Sequence, residues 1–137
     1  MNWTPIPQGP WYNPNLEEGA YDAVIKNVHE GVYSIQRDKY IQVVLWLPDE
    51  ETHFVTNFYL PSNKPDNRSV HRLYRLCKCV GRVPQDALDD PALFEGEELQ
   101  VTVKTMKGVR GNGGQAYCDV DLFLPAGSVE PVSSDRV

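Results

Sequence analysis

The chain has 137 residues, 41% hydrophobic and 23% charged, and a net charge of −6. Those totals fit one folded domain with tails, and they argue against wholesale disorder and against a generic polyanion binder. No apolar run reaches the ~18 residues that crossing a bilayer requires, so no membrane partner is expected. The N-terminus has no basic leader before an apolar stretch, and its three cysteines form no tidy disulfide framework, which points to a reduced, cytoplasmic protein.

Residues 1–19 form an arm with Pro5, Pro7, Pro10 and Pro14, which favour extended segments over helix. Trp3, Trp11 and Tyr12 are costly to leave in water, so the arm docks on its own domain or on a partner. From "GAYDAVIKNVHEGVYS" the pattern is that of a strand. Tyr21, Ala23 and Ile25 alternate before the register moves to Val28, which predicts a bulge. "KYIQVVLWL" puts Ile41, Val43, Leu45 and Leu47 on one face and Tyr40, Gln42, Val44 and Trp46 on the other. "THFVTNFYL" gives a third strand, with Phe54, Phe58 and Leu60 opposite His53, Val55, Asn57 and Tyr59.

In "SVHRLYRLCKCVG" the period becomes helical, with Val70, Leu73, Leu76, Cys77 and Val80 on one face, Ser69 as cap and Gly81 after the end. Arg68, Arg72, Arg75 and Lys78 read as a solvated face. "RVPQDALDDP" has room for a short helical turn, and "ALFEGEELQVTVKTM" gives a fourth strand facing inward through Leu99, Val101 and Val103. A loop with Gly108, Gly111, Gly113 and Gly114 follows. "QAYCDVDLFLP" then gives a fifth strand, with Cys118, Val120, Leu122 and Leu124 inward. The order β-β-β-α-β-β over residues 20–125 predicts a mainly β fold, a five-stranded OB-fold-like barrel with one helix between strands 3 and 4. An open α+β sheet with one covering helix is the competing architecture. Residues 126–137 read as a flexible tail.

The landmarks "LEEGAYDAVIKNV", "FYLP", "LYRLCKCVG", "LFEGEELQVTVK" and the terminal "LFLP" come in the order found in a family of phage and prophage proteins. Those proteins are usually described as uncharacterised or as candidate single-stranded DNA-binding proteins. The chain resembles that family over residues 16–125, with Glu18 standing where proline is usual. The resemblance implies an OB-fold and a role beside phage replication or recombination proteins. The terminal "SVEPVSSDRV" lacks the acidic run with an apolar tip by which many replication proteins of this kind recruit partners.

Single-stranded DNA needs aromatic faces for bases and cations for phosphates. In an OB-fold the ligand crosses strands 2 and 3 between the 1–2 and 4–5 loops. The candidate nucleic-acid-binding residues are therefore Tyr40 and Trp46 on strand 2, with Asn57 and Tyr59 on strand 3. Arg37 and Lys39 sit beside the first loop, Lys104, Lys107 and Arg110 rim the second, and Tyr117 opens strand 5. Against this stand plain structural roles: aromatic residues are common strand formers, glycine-rich hairpins need no ligand, and Asp119 and Asp121 would repel phosphate. No catalytic, metal or cofactor motif is present, so the expected function is non-enzymatic: sequence-independent binding of single-stranded DNA. The alternative is a protein-interaction module that uses the N-terminal arm. Homo-oligomerisation is left open.

Charge is segregated along the chain. Residues 61–82 hold six bases and one acid, a balance of +5, and residues 83–100 hold six acids and no base. That pattern gives either a bipolar surface or neighbouring patches that neutralise each other.

Overall fold

Period-2 patterning becomes five strands in the computed structural model, which describes residues 13–32, 39–60, 68–106 and 117–131, with the backbone alone for Ala87, Leu88 and Tyr117. They are β1 (Gly19–Val32), β2 (Lys39–Leu47), β3 (Thr52–Leu60), β4 (Glu98–Met106) and β5 (Tyr117–Pro125). Helices α1 (Arg68–Cys79) and α2 (Pro84–Asp89) and a 3-10 turn (Pro91–Phe94) lie between β3 and β4. All strands join one antiparallel sheet in the order β3-β2-β1-β4-β5. Among the described residues, no helix is long and apolar enough to cross a membrane.

β1 bends the sheet by serving two partners. Gly19–Val24 pairs with β4 and Val24–Val32 with β2, and the expected bulge lies between Ile25 and Asn27. Ile25 donates its N–H to Glu97 O at 2.9 Å and accepts from Gly96 N at 2.8 Å, so the turn before β4 fills the interrupted ladder. Gly96 has φ +87, a left-handed conformation that glycine adopts without a Cβ penalty.

The core gathers Tyr21, Ala23, Ile25 and Val28 of β1 with Ile41, Val43, Leu45 and Leu47 of β2 and Phe54 and Phe58 of β3, all in the predicted alternation. Fully burying such a side chain contributes ~1.5–3 kcal/mol. α1 closes the core with Leu73, Leu76 and Cys77. Its end is a Schellman turn: Gly81, at φ +73, donates to Lys78 O at 3.3 Å, and Arg82 donates to Cys77 O at 2.8 Å.

Four expectations need correction. α1 begins at Arg68, so Ser69 lies inside the first turn and does not precede the helix. The strand expected from Ala92 begins at Glu98, because Pro91 starts a 3-10 turn that carries Phe94 into the core. In β5 the inward set holds only to Val120. The β4–β5 register then slips, pairing Val103 with Val120 and Thr102 with Leu122. That bulge turns Leu122 outward and buries Phe123 instead. Finally, Arg72 is not a solvated residue of the helix. It enters the gap between the sheet's two edges.

Those edges, β3 and β5, approach each other without a mutual backbone ladder among the described residues, and side chains bridge them. Asn13 donates from Nδ2 to Val55 O (2.8 Å) and to Cys118 O (3.2 Å), while its Oδ1 accepts from Val55 N (2.6 Å). The amide thus copies a strand neighbour for β3 and reaches β5 as well. Arg72 donates from Nη2 to Thr56 Oγ1 (3.2 Å) and Val120 O (3.0 Å), and the Thr56 hydroxyl in turn donates a hydrogen bond to Asp119 Oδ1 (3.3 Å). The guanidinium also lies 5.2 Å from the ring centroid of Phe58 and 5.5 Å from that of Phe123. Gln100 repeats the amide device beyond β5, exchanging 2.9 Å bonds with Val129 N and O, so the residues just after the last strand are tied back to the sheet.

Candidate nucleic-acid interface

The face of β1–β3 turned away from the core is organised in rows, because the ladders place residues of three strands side by side. Gly31, Tyr40 and Tyr59 form the first row; His29, Gln42 and Asn57 the second; Asn27, Val44 and Val55 the third; and Val24, Trp46 and His53 the fourth. Tyr40 and Tyr59 are 6.1 Å apart between centroids and tilted by 39°. Room for the pair comes from Gly31, where a Cβ would clash with the hydroxyl edge of the Tyr40 ring. Tyr59 remains 38% exposed. Trp46 meets His53 edge-on at 4.9 Å. Six steps along β2 at ~3.3 Å each separate Tyr40 from Trp46, so the two aromatic rows stand ~20 Å apart.

Between them runs a hydrogen-bonded polar row. His29 Nε2 lies 3.0 Å from Gln42 Oε1, and Gln42 Nε2 donates to Asn57 Oδ1 at 3.0 Å. With its amide donating to Asn57, Gln42 presents its carbonyl oxygen to His29, which assigns the proton to His29 Nε2. Gln42 is 1% exposed and Asn57 6%. Both amides therefore fix the surface more than they offer it, since buried polar groups are costly unless paired.

The candidate residues fall into three groups. Tyr40 and Tyr59 come together at one end of this face; Lys39, next to Tyr40 in β2, alternates to the opposite face, where it pairs with Glu30 at 3.6 Å. Asn57 sits in the middle row and Trp46 at the far end. Lys104 is exposed elsewhere, on β4 opposite Asp119, where it lines a cleft with Arg68, Arg72 and Leu122. Arg37, Lys107 and Arg110 lie outside the described residues, and Tyr117 opens β5 with its backbone opposite Met106. His29, Gln42 and His53 belong to the rows but were not among the candidates. Gln42 and His53 were legible as outward positions. Placing His29 beside them requires the register shift at the β1 bulge.

Two groups in the seam have perturbed electrostatics. Burial raises the Asp119 carboxyl above its ordinary range, outweighing the opposing pull of Arg72, the Val120 N–H bond and the Thr56 hydroxyl. Burial likewise lowers Arg72, against the favourable charge of Asp119; an arginine nonetheless keeps its proton at any ordinary pH. In α1, burial pushes the Cys77 thiol up to about 12 and raises Cys79, the opposite of what a thiolate nucleophile or ligand needs. Among the described residues, no group of three His, Cys, Asp or Glu side chains is placed to hold a metal ion.

No family model matches this chain, and no curated protein matches its sequence.

Proposed function

We propose that this protein binds single-stranded DNA without strong sequence preference, as a barrel of the OB-fold type, and that the outer face of β1–β3 is its binding surface. The observation that carries the reading is the Tyr40–Tyr59 pair, in register on neighbouring strands and seated over Gly31. Base–aromatic stacking is worth ~1–3 kcal/mol per base and accepts any base, because every base has a π-face. Trp46 and His53 supply a second platform ~20 Å along the face. The amides and imidazole between them hold both platforms at fixed spacing. Phosphates would be met by Lys39 at the strand end and by the loop cations at positions 37, 107 and 110.

The fold type is supported by the strand order and by the approach of β3 to β5, since joining those two edges completes a five-stranded barrel. The setting, phage replication or recombination, rests on the resemblance of residues 16–125 to the phage and prophage family.

Fluorescence anisotropy of a labelled oligo-dT strand tests the function, at low and near-physiological salt, with duplex of equal length as control. Single-strand binding that exceeds duplex binding and weakens with salt is the expected result. No binding at low salt removes the proposal.

A further inference from the structure

α1 and β5 leave a groove of about 640 Å³ lined by His71, Tyr74, Arg75, Lys78, Phe123 and Leu124. Arg68, His71, Arg75 and Lys78 recur at three- and four-residue intervals, so they form one stripe along the helix, and all four are exposed. The floor is apolar. Tyr74, 59% exposed, stands at the rim, and a basic rim around an apolar floor fits an acidic surface with an apolar tip.

The chain carries such a surface. At the end of α2 and around the 3-10 turn, the exposed acids Asp89, Asp90 and Glu95 flank in sequence Leu93, which is 38% exposed. This knob shares no residue with the groove. The ion pairs recorded among the described residues are Lys39–Glu30 and Arg82–Glu97, so neither patch is neutralised by the other within one molecule. We infer that the acidic knob around Leu93 of one copy docks in the α1–β5 groove of a second copy.

Several observations favour this occupant over a nucleic-acid strand. Asp121 borders the groove's continuation towards Arg68, where it would repel phosphate. A leucine fills an apolar floor that phosphate would leave empty. Because knob and groove are different patches, the contact is heterologous: it joins copies head to tail, into a ring or an open chain. The inference stands apart from the DNA-binding reading.

Sedimentation of the full chain over a concentration series tests it. At low salt the average mass should rise with concentration. At 1 M salt it should return to the monomer, because the screening length falls to ~3 Å. An Arg75→Glu/Lys78→Glu variant and an Asp89→Lys/Asp90→Lys variant should each weaken association at least ~10-fold, the equivalent of ~1.4 kcal/mol. An equimolar mixture of the two should associate again, since each reversed patch meets its opposite. Circular dichroism confirms that both variants are folded. A wild-type chain that stays monomeric at low salt overturns the inference, as do reversed variants that associate like wild type. So does a mixture that fails to recover. If the groove variant loses oligo-dT affinity while the wild type sediments as a monomer, the groove belongs to nucleic acid instead.

Discussion

The seam between β3 and β5 and the outer face of β1–β3 both set polar and aromatic groups against an apolar core, but they are built for different ends. In the seam every described polar group is matched to a specific partner: Asn13 to Val55 and Cys118, Arg72 to Thr56 and Val120, Thr56 to Asp119. Two phenylalanines, 5.7 Å apart and tilted by 35°, lie beneath the guanidinium. On the outer face the His29–Gln42–Asn57 row is paired in this way and Val44 and Val55 of the next row are buried, while the tyrosine row keeps exposed ring surface. The difference separates stability from binding: changes in the seam should unfold the protein, and changes in the tyrosine row should leave it folded but impair binding.

The sharpest way to break this comparison is Phe58→Ala. It removes a fully buried ring from Phe123 and Arg72, and denaturant unfolding should show a loss of ~3–5 kcal/mol. Affinity per folded molecule should be unchanged. Next, Arg72→Met keeps the apolar stem but leaves Thr56 and Asp119 without their cation, and ~2–3 kcal/mol of stability should be lost. A neutral outcome there would mean that the seam is held by the phenylalanines alone. On the other face, Tyr40→Ala/Tyr59→Ala should weaken oligo-dT binding ~30-fold with little change in unfolding midpoint.

Smaller effects sharpen the same contrast. Asp119 titrates above the ordinary carboxylate value of 3.8. Between that value and its own the folded state binds more protons than the unfolded one, so stability falls as pH rises through the window. The stability advantage of wild type over Asp119→Asn should therefore shrink from acid to neutral pH; an advantage that grows would reverse the assignment. Gly31→Ala should produce the smallest change. The new methyl displaces the Tyr40 ring, lowering affinity a few-fold, by under ~1 kcal/mol.

Much of the sheet was legible in the sequence because alternation is a strong signal where one face is buried. Tyr21, Ala23 and Ile25 followed by Val28 announced the β1 bulge, and the structure has it between Ile25 and Asn27. The β5 bulge was not legible: Leu122, Phe123 and Leu124 are all apolar, so the pattern reads equally well in either register. Arg72 was misread for a different reason. Its place on the helix is set locally, but its burial comes from β3 and β5 closing around it, a tertiary event with no local signature. Asn13 was hidden likewise, one polar residue in a proline-rich arm until the gap it fills was known. At the candidate site the aromatic positions were readable from alternation. Their grouping required the cross-strand register, which separates Lys104 on β4 from the tyrosine row.

The most direct test of the central claim is an NMR titration of ¹⁵N-labelled protein with unlabelled oligo-dT, following backbone amides. The account predicts that the largest shift changes cluster at Tyr40, Gln42, Asn57 and Tyr59 and fade towards α1. Shifts concentrated on Arg68–Lys78 and β5, or none at saturating strand, would contradict the assignment of the outer face as the binding surface.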